Sequence, residues 1–167
     1  MNVINLYQSF GRMYLTSRKL LVIVAAIGAT SARSLAQTSA CSAISADDVS
    51  PIVGGAASKA SPLGCSWRGI EEHYVMVFDN TPHSKLMAVS AMYLQARKAA
   101  EQIGTVNDES GLGDKAFLAV ATTTGVTSVL MLKGERLLQV QLWTGDLPTS
   151  GNLDLIRKIA KKAIAKF

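Results

Sequence analysis

KAFLAVATTTGVTSVLMLKGERLLQVQLW, residues 115–143, decides the fold because it contains three apolar, β-like runs in close succession. The runs are Lys115–Thr122, Thr127–Lys133 and Arg136–Thr144, and a turn at Gly134 separates the last two. Links this short join antiparallel neighbours, whereas parallel strands need long crossovers. The stretch therefore predicts the centre of an antiparallel sheet.

Alternation in the last run predicts two different sheet faces, because successive side chains of a strand point to opposite sides. Leu138, Val140 and Leu142 point one way, and Leu137, Gln139, Gln141 and Trp143 point the other way. Tryptophan and amide side chains beside a loop are typical of binding surfaces. We therefore predict a candidate binding face of Gln139, Gln141 and Trp143, with Trp67 nearby, unless a helix packs over it.

Two further strands and a short helix are predicted before this stretch. Ser45 and the acids that follow it resemble an N-cap and an acidic first turn, and Gly54 with Gly55 ends that helix. The segment from Ala56 to Gly64 is rich in small residues and predicts a loop. Strands are expected at Cys65–Gly69 and His73–Phe78. The second is almost continuously apolar, so we expect it to be central and covered on both faces.

Two longer helices complete the predicted elements. Apolar residues recur at spacings of three and four between Pro82 and Gly104, and again from Ser150 to the end of the chain. The order α-β-β-α-β-β-β-α predicts an α+β fold with a mostly antiparallel sheet of about five strands and two to three packed helices.

The first 36 residues have the form of an export signal. Arg18 and Lys19 precede an apolar run from Leu20 to Gly28, and small residues lead to a predicted cleavage after Ala36. We expect residues 1–36 to be removed and residues 37–167 to form one periplasmic or secreted domain. The alternative is a membrane anchor, although the run is shorter than a comfortable span of about 20 residues. Met13 is an alternative start.

Charge argues against nucleic acid as a partner. Four of the 17 basic residues and none of the 12 acidic residues lie before Ala36. The rest of the chain therefore has 13 basic and 12 acidic residues, a net charge close to neutral. A nearly neutral domain has no field that attracts a phosphate backbone in general.

The two cysteines, Cys41 and Cys65, both follow the predicted cleavage point. An even count in an exported domain favours one disulfide. It would close a loop of about 25 residues and stabilise the domain by about 3 kcal/mol. The alternative is lipidation of Cys41, as in bacterial lipoproteins, although Thr38 stands where such signals prefer leucine. Their spacing excludes a CxxC redox or zinc site.

Several segments together resemble a known family. They are Cys41, SAISADDVSPIVGG at residues 42–55, CSW at 65–67, GLGDKAF at 111–117 and LKGERLLQVQL at 132–142. The pattern is similar to a family of small bacterial envelope domains of unknown function, best known from actinobacterial lipoproteins. The resemblance implies an exported single domain with a cysteine pair and an antiparallel sheet packed by helices. It supplies no catalytic residue.

Chemical groupings in the chain favour no reaction or cofactor. The only histidines, His73 and His83, lack metal-binding spacing, and His83 beside Asp79 and Ser84 fits helix capping better than a nucleophilic site. Glu71 and Glu72 are adjacent and point apart. The loop Gly111–Asp114, GLGD, could cradle an anion, but it lacks the lysine and following helix of a P-loop. A glycine turn explains it better.

Three functional hypotheses follow, in order of preference. The first is an exported, non-enzymatic binding domain for an envelope protein or small ligand. The second is an accessory subunit that docks on an envelope complex through the C-terminal helix or a strand edge. The third is an envelope enzyme whose dispersed site includes His73 and His83. The basic face of the last helix could also contact anionic lipid or a wall polymer.

Overall fold

The three apolar runs form the adjacent strands of one antiparallel sheet. The computed structural model describes residues 43–54, 57–61, 64–69, 73–82 and 88–166. The elements in chain order are α1 Ala46–Val53, β1 Ala57–Ser61, β2 Gly64–Arg68, β3 Tyr74–Asp79, α2 Val89–Ile103, β4 Gly104–Glu109, β5 Lys115–Ala121, β6 Thr127–Lys133, β7 Arg136–Trp143 and α3 Ser150–Ile164. The α+β class with helices on an antiparallel sheet is thus confirmed.

The described residues form one sheet of seven strands in the spatial order β1-β2-β3-β7-β6-β5-β4, and every neighbouring pair is antiparallel. The two strands beyond the predicted five are β1, which was expected to be a loop, and β4, which was expected to belong to a polar loop. Both lie at the sheet edges, where the backbone ladder forms with few apolar side chains. The small and polar composition of these two segments therefore predicted loops instead of strands.

The first face of the sheet carries the main core. Helices α1 and α3 pack there, and the buried cluster includes Val77, Val129, Val140 and Ile156. The inward series Leu138, Val140 and Leu142 lies on this face as predicted from its alternation. Burial of that apolar surface, at about 25 cal/mol per Å², is the main force that holds both helices on the sheet.

Among the described elements, α2 packs on the second face, over part of its width. Tyr93 of α2 packs against Phe117, with ring centroids 5.4 Å apart, in a smaller cluster with Ala119, Leu130 and Leu137. These sheet residues belong to β5, β6 and the start of β7. The cluster lies toward the β4 edge.

Helix boundaries differ in part from the predictions. The backbone of Ala88 is extended and α2 begins at Val89, not at Pro82, while its end at Gly104 is as predicted. Gly54 ends α1 with φ +60, a left-handed conformation that glycine adopts without strain. Thr149 caps α3, since its hydroxyl accepts the N–H of Asn152 at 3.3 Å.

The predicted leader 1–36 with its cleavage at Ala36, and also Cys41, Glu71, Glu72, His83 and Ser84, lie outside the described residues. Cys65 is buried on the core side, and no described cysteine is a free thiol. The pairing of Cys65 with Cys41 stays a prediction. No helix in the described ranges has the length and apolar character needed to cross a membrane.

Candidate binding face on the sheet

The part of the second sheet face toward β2 carries the predicted glutamines and Trp143. Antiparallel register places Met76 beside Gln141, Phe78 beside Gln139, and Tyr74 beside Trp143, so all six point to the same side. All six are half-buried. We call the following set the aromatic–amide face: Ser66, Arg68, Tyr74, Met76, Phe78, Gln139, Gln141 and Trp143.

Tyr74 and Trp143 form a stacked pair at one end of this face. Their ring centroids are 5.8 Å apart and the ring planes differ by 23°. The indole Nε1 of Trp143 donates a hydrogen bond of 2.9 Å to the backbone oxygen of Thr124, which fixes the ring orientation. Burial raises the pKa of the Tyr74 hydroxyl above its usual 10, and the positive charge of Arg68 opposes that shift. The phenol is therefore neutral at physiological pH.

Hydrogen bonds also hold the opposite end of the face. The side-chain amide of Asn80 donates to Oε1 of Gln139 at 2.7 Å. Arg136 pairs with Asp79 at 2.7 Å, and the hydroxyl of Thr81 accepts the N–H of Leu137 at 2.9 Å. These contacts tie the segment after β3 to β7 and fix the Gln139 amide.

Gln141 lies between the two ends and differs from Gln139 in its bonding. Its amide makes no hydrogen bond to any residue in the described ranges. A half-buried amide without an internal partner can donate and accept at the same time toward a bound molecule. Gln141 is therefore a polar group on the face that is available to a bound molecule.

Trp67 does not belong to this face, which corrects the sequence prediction. Its register partners are Val75 on β3 and, through it, Leu142 on β7, and these residues point to the core side. Trp67 is 2 % exposed. Because side chains alternate along a strand, Trp67 and its neighbours Ser66 and Arg68 point to opposite sides.

The sequence analysis missed Tyr74, Met76 and Arg68. The run Tyr74–Phe78 was expected to be covered on both faces, but only Val75 and Val77 in it are buried. Its strand is central, as predicted, between β2 and β7. The signal that could have found the face is the pairing of one half-polar strand, β7, with a strand whose alternate residues are aromatic or methionine.

The groups considered for catalysis do not form a site in the described part of the chain. Nδ1 of His73 lies 3.3 Å from the backbone oxygen of Ile52 at the end of α1, which is a structural contact. No cluster of three or more potential metal ligands occurs among the described residues. Asp79 is paired with Arg136 and is not held for a nucleophilic site.

The C-terminal helix is held by its apolar side. Ile156, Ile159, Ala160 and Ala163 are buried against the sheet. The charged side of this helix, with Lys158 and Lys161, is exposed.

A comparison of this chain with protein-family models, curated proteins and solved structures finds no match.

Proposed function

We propose that this chain is an exported, non-enzymatic binding domain whose partner contacts the aromatic–amide face. The single observation that carries the proposal is that α2 packs toward the β4 edge and leaves half-buried Tyr74, Met76, Gln141 and Trp143 side by side. The predicted leader of residues 1–36 and the expected pairing of Cys41 with Cys65 support a periplasmic or secreted location. The resemblance to small envelope domains supports the same compartment.

The composition of the face favours a protein partner over a small molecule. Tyrosine, tryptophan, methionine and arginine are enriched at the centres of protein interfaces, and the face offers one of each. Small ligands prefer concave sites, whereas side chains from the adjacent strands β2, β3 and β7 form a broad surface. Three strands spaced about 4.8 Å apart give a patch of roughly 14 Å by 17 Å.

Position-specific photo-crosslinking in the protein's own host tests this proposal. A benzophenone amino acid would replace Gln141 on the face, and a matched control would replace Gln95 on the exposed side of α2. We expect a single defined protein adduct from position 141 and none from position 95. Equal adducts at both positions, or none at position 141, would contradict the proposal.

Purified components give the second step of the test. With the crosslinked protein identified and purified, Met76→Glu would place a charge in the centre of the face and weaken binding by about tenfold or more, equivalent to about 1.4 kcal/mol. Gln95→Glu adds the same charge on α2 and should leave the dissociation constant unchanged. Equal effects of the two variants would point to general electrostatics instead of this face.

The accessory-subunit alternative is less well supported. Docking through the C-terminal helix would need an available apolar surface, but the apolar side of α3 is part of the core. Deleting residues 150–167 would then unfold the domain and would not simply detach a partner. A membrane-anchored or lipidated form of the protein would present the same face and remains compatible with the proposal.

A further inference from the structure

A second surface of the domain, unrelated to the aromatic–amide face, combines two features that lie far apart in the sequence. The GLGD loop between β4 and β5 lies beside the charged side of α3. Together they line a pocket of about 300 Å³ formed by Glu109, Ser110, Gly111, Leu112, Arg157, Lys158 and Lys161. The pocket has three cationic side chains and one carboxylate.

Contacts made by Leu112 and Asp114 hold the GLGD loop in place. Leu112 is buried in the main core, and the carboxylate of Asp114 accepts the N–H of Gly134 at 2.7 Å. The backbone N–H of Asp114 donates to the backbone oxygen of Leu132 at 2.7 Å. Ser110 and Gly111 remain exposed at the pocket, and their N–H groups donate to no acceptor in the described ranges. The loop therefore presents donors from an anchored backbone.

The helix side is positioned by Arg157. Its guanidinium donates to both carboxylate oxygens of Glu109, at 2.8 to 3.0 Å, and to Asp154 at 3.2 Å. This pairing neutralises the only carboxylate that lines the pocket and ties α3 to the end of β4. Bidentate arginine–carboxylate pairs of this kind are geometrically specific.

Lys158 and Lys161 remain as the unneutralised charges of the pocket. They are three residues apart on α3 and so lie on the same side of the helix. Both are exposed, and neither has an ion-pair partner within the described part of the chain. By contrast, the neighbouring Lys162 is paired with Asp48. Two lysines, a serine hydroxyl and glycine-loop N–H groups are the donor set that binds phosphate oxygens.

We infer that this pocket binds a phosphate group, carried either by a soluble organic phosphate or by an anionic lipid headgroup. The ligand fits between Lys158 and Lys161 on one side and the N–H groups of Ser110 and Gly111 on the other. Arg157 is a positioning residue, since each of its three guanidinium nitrogens already donates to Glu109 or Asp154. The inference does not depend on the proposed function of the sheet face.

Titration of the full chain with pyrophosphate, followed by calorimetry and by amide NMR shifts, tests the inference. We expect saturable binding with the largest shifts at residues 110–112. Lys158→Gln with Lys161→Gln should weaken binding by about tenfold or more, whereas Lys158→Arg with Lys161→Arg should retain it. The matched control, Lys98→Gln with Lys166→Gln, removes the same charge from exposed positions outside the pocket and should have no effect.

Vesicle sedimentation separates the two sources of phosphate. Binding to phosphatidylglycerol vesicles that is lost only in the Lys158/Lys161 glutamine variant would assign the pocket to a lipid headgroup. Pyrophosphate binding without vesicle binding would assign it to a soluble phosphate. The inference is overturned if neither probe binds, if both glutamine pairs weaken binding equally, or if the shifts lie away from residues 110–112. Met76→Glu on the sheet face should leave both assays unchanged.

Discussion

Replacing Asp48 by asparagine should reveal how α1 is attached to the rest of the domain. The carboxylate of Asp48 pairs with Lys162 of α3, across 114 residues of sequence, and accepts the N–H and hydroxyl of Ser45 at 3.0 and 2.9 Å. It therefore closes the first turn of α1 and joins that helix to α3 at once. Asparagine keeps the shape of the side chain but removes the charge.

The magnitude follows from the pKa of Asp48. The hydrogen bond from Lys162, and then those from Ser45, lower this pKa from 3.8 to about 2 despite opposing desolvation. One unit corresponds to about 1.36 kcal/mol, so the full shift would be worth about 2.4 kcal/mol. Because the Lys162 side chain is 43 % exposed, solvent screens the pair, and we expect a loss of about 1 kcal/mol in Asp48→Asn.

Urea denaturation between pH 7 and pH 2 provides the assay. A carboxylate with a lowered pKa stabilises the fold above its unfolded pKa near 3.8, and this contribution is lost as pH falls through about 2. The difference between wild type and Asp48→Asn should thus be full at pH 5 to 7 and shrink steadily below pH 4. Asp47→Asn, an exposed neighbour, is the control and should cost only a few tenths of a kcal/mol. Equal stability of wild type and Asp48→Asn at pH 7, or a difference that persists unchanged at pH 2, would refute the reasoning.

Three further predictions concern stability measured by urea denaturation at pH 7. Gly113→Ala should cost 2 kcal/mol or more, because a Cβ there would lie 2.5 Å from a backbone oxygen of β6, whereas Gly111→Ala, with open space around it, should cost only about 1 kcal/mol for its positive φ; equal losses would contradict this. Leu138→Ala, at 1 % exposure, should cost about 3 kcal/mol and Leu147→Ala, at 61 %, almost nothing; similar values would refute the assigned core. Thr127→Val should stabilise by up to about 1 kcal/mol, since its buried hydroxyl has no hydrogen-bond partner among the described residues; a clear loss of stability would contradict this.

Alternation of side chains made much of the sheet predictable. In β7 the period of two separated Leu138, Val140 and Leu142 from Gln139 and Gln141 correctly, because only one face of that strand is fully covered. In α3 the same kind of argument, with a helical period, identified the buried stripe that includes Ile156 and Ala160. Strong periodicity in long segments is therefore what the sequence records most clearly.

The features that were predicted wrongly or missed depend on contacts between segments that are distant in the sequence. Trp67 was placed beside the glutamines by residue type alone, but the face of a strand is set by register with its partner, here Val75. Strands β1 and β4 form at the sheet edges through backbone pairing. Their small and polar side chains carry no alternating apolar pattern from which a strand could be predicted. The GLGD loop lies next to Lys158 and Lys161 because of where α3 crosses the sheet, and the sequence does not predict that position.

Export is the premise on which the proposed binding function depends, and the intact mass of the protein from its own host tests it most directly. The measurement is made with and without reduction and thiol alkylation. The account predicts a mass matching Gln37–Phe167, with Cys41 and Cys65 labelled only after reduction. A mass that retains residues 1–36, a lipid adduct on Cys41, or two thiols that label without reduction would contradict it.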